Sequence, residues 1–242
     1  MALPLSGKVA VITGSSKGVG RGIALELAHH GATIVVNYNS DHAGALATLE
    51  AVNALGAPGI IVQANVGDAT QITTMFNSVK DSLGRVDILV NNAGVGVFEP
   101  IGSMSLDAWH KVFDTNVTGV FHTCRAALPL LRARGGGWII NISSLASTTP
   151  FPNGGAYCAS KVALNAFSES LMQEVRHDGI RVACVLPGSV RTGFMGHVQT
   201  AKDDWKLAPG DVADVVIGLV THPPRSLPSR VEIRPAQPPK KG

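Results

Sequence analysis

The sequence predicts a doubly wound α/β fold, a parallel sheet with helices on both faces. Short continuous apolar runs recur along the chain, the pattern of strands covered on both sides. Helical stretches with one apolar face separate them, so successive runs read as strand–helix–strand units. A glycine-rich turn follows the first run directly.

That first run is Lys8 to Thr13, and Gly14-Ser-Ser16-Lys17-Gly18-Val19-Gly20 comes straight after it. A helix with Ile23, Leu27 and Ala28 on one face follows. Strand, glycine turn and helix in that order is the context a dinucleotide-binding fingerprint requires. Glycines let the backbone approach a pyrophosphate, and the helix N-terminus turns its unpaired N–H groups toward the anion. A plain βα turn rarely uses three glycines. The second strand begins at Thr33 and runs into Asn37-Tyr-Asn-Ser40. An NAD site usually carries Asp or Glu there, about 20 residues past the glycines, to bind the ribose 2′-hydroxyl. Asn37 stands at that place without a charge to repel a 2′-phosphate. Ser40 can donate hydrogen bonds and Lys17 supplies a cation, so the expected cofactor is NADP(H). A third strand, Ile60 to Ala64, leads into Asn65 and Val66, and a fourth, Val86 to Val90, into Asn91-Asn92-Ala93-Gly94.

One long helix is expected from about Leu106 to Arg134, with a stripe of Trp109, Val112, Phe113, Val117, Val120, Cys124, Leu128 and Leu131. Asn116 falls inside the stripe at the 3.6-residue period, and a buried amide must be hydrogen-bonded. Gly137 to Ser143 reads as a buried strand ending in hydroxyls, with Ser144 next. Tyr157 then opens a helix that carries Lys161 one turn on, so phenol and ammonium share a face. A fixed cation favours phenolate, which brings a group of pKa about 10 toward neutral acid–base work. Gly179 to Leu186 is a sixth strand, followed by Pro187-Gly188-Ser-Val190-Arg-Thr192. Residues 193–207 are expected to form a lid with Phe194, Met195 and Trp205 as its apolar side chains. A helix from Asp211 to Val220, a last strand from Ser229 to Arg234 and a frayed tail over about 236–242 complete the reading.

At 242 residues and 45% hydrophobic content, the chain reads as one domain, residues 1–242, with no linker composition inside it. The net charge of +3 is spread along the chain, and the Lys240-Lys241 pair makes no case for nucleic acid. No apolar run approaches the roughly 20 residues of a membrane span, and no signal core follows the first residues. Cys124, Cys158 and Cys184 show no metal-ligand spacing and read as buried free thiols of a cytoplasmic protein. His29 and His30 diverge by about 100° on their helix, so no bound metal is expected.

The Tyr157-x3-Lys161 pair, Ser144 thirteen residues earlier, the glycine turn and Asn91-Asn92-Ala93-Gly94 together resemble the short-chain dehydrogenase/reductase family over essentially the whole chain. The resemblance implies a single Rossmann-type domain of seven parallel strands in the order 3-2-1-4-5-6-7. It implies that Ser144 holds the substrate oxygen, that Tyr157 transfers the proton, and that Lys161 binds the nicotinamide ribose and depresses the Tyr157 pKa. Asn116 would hold a water that relays protons to the lysine. Cofactor contacts would come from Gly14, Ser16, Gly18, Val19 and Gly20 at the pyrophosphate, and from Lys17, Asn37 and Ser40 at the ribose and its 2′-phosphate. Asn65 and Val66 would face the adenine, with Asn92, Ala93, Gly94, Pro187, Gly188, Val190 and Thr192 beside the nicotinamide. The implied reaction is hydride transfer between NADP(H) and a small ketone or aldehyde, in a homotetramer. Reduction of 3-oxoacyl chains on a carrier protein is an alternative. Asp178, where those reductases carry an arginine, and Val231-Glu-Ile-Arg-Pro235, in place of their Val-Asp-Gly-Gly, point away from it. A non-catalytic dinucleotide sensor is the other alternative, and the complete Ser/Tyr/Lys set speaks against it.

Overall fold

The computed structural model describes residues 3–239, so the Lys240-Lys241 pair lies outside them. A single seven-stranded parallel sheet runs through the molecule in the order β3-β2-β1-β4-β5-β6-β7, as expected. The strands are β1 Val9–Ile12, β2 Thr33–Tyr38, β3 Gly59–Gln63, β4 Ile88–Asn91, β5 Gly137–Ile142, β6 Ile180–Pro187 and β7 Arg230–Ile233. The helices are α1 Gly18–His29, α2 His42–Ala54, α3 Ala69–Leu83, α4 Leu106–Phe113, α5 Gly119–Ala133, α6 Gly155–Val175 and α7 Pro209–Val220. No described helix is long and apolar enough to cross a membrane.

Strand alternation divides the apolar side chains between two cores. Ala10, Ile12, Ile34, Val36, Val90 and Ile140 pack with Ile23 and Leu27 of α1, Val52 of α2 and Val216 of α7. Val9, Val11, Val35, Leu89 and Ile139 pack on the other face with Ile72 and Phe76 of α3, Leu131 of α5 and Leu164 of α6. Both faces of the sheet are therefore apolar, which is why its strands read as continuous runs.

One polar seam crosses this apolar interior. Asn91 and Asn141 are register partners on β4 and β5. Asn91 Nδ2 donates to Asn141 Oδ1 at 2.8 Å, and Thr123 Oγ1 of α5 donates to Asn91 Oδ1 at 2.6 Å. Asn141 Nδ2 donates in turn to Ser168 Oγ of α6 at 2.8 Å. The seam joins both helices to the two central strands.

The expected 106–134 helix is not uniform. Between α4 and α5 the chain makes a π-helical turn over Asp114–Thr118. The turn swings Asn116 fully inside. There its amide pairs with the backbone of Val95 on both sides, Oδ1 accepting from the N–H at 2.9 Å and Nδ2 donating to the carbonyl at 2.9 Å. Hydrophobic periodicity does not register a one-residue widening, so the sequence reading ran the two helices together.

Candidate active site

The ends of β1, β4, β5 and β6 gather the functional side chains at the carboxyl edge of the sheet, where ligands of open α/β sheets bind. Gly14 adopts φ +61°, and a Cβ there would stand 2.9 Å from the Ala93 Cα. Gly18 has φ +58°, and a Cβ on it would lie 3.6 Å from the Thr192 methyl, so the post-β6 loop covers the glycine turn. Asn92 Nδ2 donates to the carbonyls of Thr13 and Gly14 at 2.9 and 3.0 Å, while Thr13 Oγ1 accepts from the N–H groups of Asn92 and Ala93. The turn is thus held from β4 before any ligand arrives. Lys17, at the N-cap of α1, makes no side-chain cap, so the first-turn N–H groups of the helix face an anion unscreened. These features fit a dinucleotide pyrophosphate.

Three predicted cofactor residues sit differently from their expected poses. Asn37 is turned inward: Oδ1 accepts from the Gly14 N–H at 3.1 Å, and Nδ2 donates to the Ala64 and Val62 carbonyls at 3.1 and 3.3 Å. It shapes the glycine turn from beneath and does not reach outward to a ribose. The exposed side chains at that edge are Asn39 and Ser40. Lys17 is exposed, and its Nζ lies 3.9 Å from the Asp41 carboxylate, so an acid stands beside the cation. Asn65 Oδ1 accepts from the Gly67 N–H at 3.0 Å, a turn contact that shares the oxygen expected to meet adenine. Val66 beside it is buried against the second core. On the far side, Gly188 N–H donates to Ile233 O at 2.8 Å, and Val190 bridges to Leu207, which fixes the Pro187–Thr192 loop.

The structure does bring Ser144, Tyr157, Lys161 and Asn116 together. Ser144 caps a short 3₁₀ turn, its Oγ accepting from the Ala146 N–H at 3.1 Å. Tyr157 lies half-buried in the first turn of α6. Lys161, one turn on, is only 4% exposed and donates from Nζ to Ile142 O at 2.9 Å. Its Nζ is 5.8 Å from the Tyr157 ring centroid. A Cβ on Gly94 would lie 3.7 Å from that Nζ and 3.4 Å from Asn116 Oδ1, so Gly94 keeps the floor of the site low. Asn116 Nδ2 also donates to Ser160 Oγ at 3.0 Å, and Ser160 Oγ donates to Tyr157 O at 2.7 Å. Ser160 went unnoticed in the sequence because a small hydroxyl inside a helix carries no pattern.

Residues 8–203 match the family model for short chain dehydrogenase. A 3beta-hydroxysteroid dehydrogenase of Eggerthella lenta is 39% identical over 78% of this chain and 72% of its own. A 3-oxoacyl-[acyl-carrier-protein] reductase of Staphylococcus aureus is 37% identical over 76% of this chain and 74% of its own. The crystal structure of a metagenomic short-chain oxidoreductase in complex with NADP superposes with a TM-score of 0.85 at 35% identity, covering 97% of this chain and all of that one.

The electrostatics of the pair differ from the sequence expectation. Burial pushes the Tyr157 phenol up from its ordinary value, against a lowering hydrogen bond from Ser144. Burial also brings the Lys161 ammonium down to about 8, with the Cys184 thiol acting in the opposite sense. Desolvation thus disfavours the charged form of both partners. For Lys161 the folded state releases its proton near pH 8, while the unfolded chain does so near about 10.4. Between these values the unfolded state binds more protons, so stability rises with pH through that window. Relative to Lys161→Met, the urea midpoint of the protein without cofactor should therefore climb from about pH 8 to about pH 10. Parallel pH profiles for the two proteins would remove Lys161 as the source.

Proposed function

The chain belongs to the short-chain dehydrogenase family, and we propose that it is an NADP(H)-dependent reductase interconverting a ketone or aldehyde with the corresponding alcohol. The observation that carries this reading is the convergence of Ser144, Tyr157 and a buried Lys161 beside a glycine turn already held in place. Bound NADPH supplies the hydride that the carbonyl carbon receives. Ser144 orients the carbonyl oxygen, and Tyr157 gives that oxygen its phenolic proton, so carbon gains a hydride and oxygen a proton. The phenol carries the proton that reduction must deliver, and because burial makes that proton harder to give, the neighbouring ammonium has to stabilise the phenolate. The Lys161 ammonium, 5.8 Å from the ring centroid, stabilises the phenolate left behind and binds the nicotinamide ribose. Asn116 braces the first turn of α6 through Ser160 Oγ and the Tyr157 carbonyl, and is assigned the support of the proton relay.

The pyrophosphate is assigned to Gly14, Ser16, Gly18, Val19 and Gly20, and the 2′-phosphate to Lys17 and Ser40 with Asn39. The NADP complex of a 35% identical structure supports that cofactor. Asp178 is engaged by Arg132 Nε at 2.7 Å, so the position where carrier-protein reductases present an arginine is acidic and already paired. That favours free substrates over carrier-bound ones.

Tyr157→Phe keeps the ring and the buried lysine and removes one proton. Turnover should fall by about 10²–10⁴ with little change in NADPH affinity. Lys161→Ala should weaken both, read from steady-state kinetics alongside cofactor titration. Near-normal carbonyl reduction by Tyr157→Phe would eliminate it as the acid. NADPH should exceed NADH in catalytic efficiency by at least about tenfold, the size of one charge-assisted phosphate contact. Lys17→Ala should erase most of that gap, and equal use of both cofactors by the unaltered protein would refute the assignment. Assembly into a homotetramer, with α5 and α6 paired across a two-fold axis, belongs to the same proposal. Light scattering at micromolar concentration tests it, and a monomeric mass would refute it.

A further inference from the structure

Exposed apolar side chains gather around the reactive phenol. Phe98, Phe151 and Phe194 are 41%, 40% and 41% exposed, and Ile101 is 63% exposed. The Phe98 ring meets Tyr157 edge to face at 5.6 Å and Phe151 edge to face at 5.3 Å. From the 193–207 segment, Phe194 lies tilted against Tyr157 at 6.1 Å. Two adjacent glycines make room for this wall. A Cβ on Gly154 would stand 2.6 Å from the Phe151 ring, and one on Gly155 would stand 2.5 Å from Ile101 Cδ1. Three partly exposed phenylalanines beside a proton donor form a continuous apolar surface, the mark of a binding face.

The charges of the segment that carries Phe194 are engaged with one another. Arg191 Nη1 donates to Asp204 Oδ1 at 2.6 Å. Asp203 accepts from the Thr200 N–H at 2.9 Å, pairs with Lys206 at 2.5 Å and lies 2.9 Å from His197 Nε2. These contacts brace the segment from within, so the face it adds at Tyr157 is the ring of Phe194. Edge-to-face and offset contacts reward a flat or fused ring over a thin acyl chain.

We infer that the substrate is a bulky apolar ring ketone, or the matching secondary alcohol, held between Phe98 and Phe194 with its oxygen at Tyr157. This rests on the carbonyl reduction proposed above and names its substrate class. The atoms balance as in that reaction, hydride to the ring carbon and the Tyr157 proton to its oxygen.

The test measures NADPH oxidation by the full chain with β-tetralone and trans-2-decalone against ethyl acetoacetate and the N-acetylcysteamine thioester of acetoacetate. The ring ketones should be preferred at least about tenfold in kcat/KM, the discrimination an apolar pocket commonly gives. Phe98→Ala and Phe194→Ala should each lower the ring-to-linear ratio by about tenfold. Because the ratio is taken within one preparation, a partly unfolded variant does not mimic the effect. Linear substrates reduced as well as or better than ring ketones, or a ratio that neither variant moves, would overturn the ring inference and leave carbonyl reduction standing. No NADPH oxidation with any of the four carbonyls would overturn the underlying reading as well.

Discussion

The Asn91–Asn141 hydrogen bond is the contact on which the site's geometry depends. Two buried amides on neighbouring strands meet in the register observed, and a slip would break that bond and leave a buried donor and a buried acceptor unmet, at about 1–3 kcal/mol for each group. That register sets where β4 and β5 end, and therefore where Asn92, Gly94 and Ser144 emerge. The same seam reaches Thr123 on α5 and Ser168 on α6. Ser168 sits two turns beyond Lys161 on α6, so the helix that presents the phenol and ammonium is indexed to the strand that presents the serine. A polar network this deep is specific because each member has its partner.

Desolvation sets the electrostatics of the Tyr157–Lys161 pair. Taken from water, the lysine is easier to deprotonate and the tyrosine harder, yet with Lys161 at about 8 the ammonium keeps its charge at neutral pH beside a protonated phenol. Gly94 leaves room beside the Lys161 ammonium, so in the proposed reaction a bound cofactor would add polar groups and charge there and link binding to the readiness of Tyr157.

Most of the framework was legible because the five inner strands, β2, β1, β4, β5 and β6, are buried on both faces and announce themselves as apolar runs. Strand order came with the family resemblance, and the sheet has it. The Tyr157–Lys161 pairing followed from helix period alone. What escaped has physical reasons. Asn37 sits on the strand face opposite Val36 and Tyr38, and a count of residues from the glycines does not say which face a side chain takes. Phe98 and Phe151 lie in stretches without periodicity, so only their convergence in space gives them meaning. The direction of the Tyr157 shift escaped because spacing reveals a neighbouring charge and not the depth at which both groups lie.

The π-helical turn at Asp114–Thr118 constrains how this chain can change length. Each residue in an α-helix advances the direction of its neighbours by about 100°. An α-helical turn completes the same sweep with one residue fewer than the π-helical turn, so a one-residue deletion there would restore even winding with α4 and α5 still in phase and Val112 still buried. Its cost would fall on Asn116, which would lose the backbone of Val95. The extra residue therefore serves the polar contact and not the packing of the two helices.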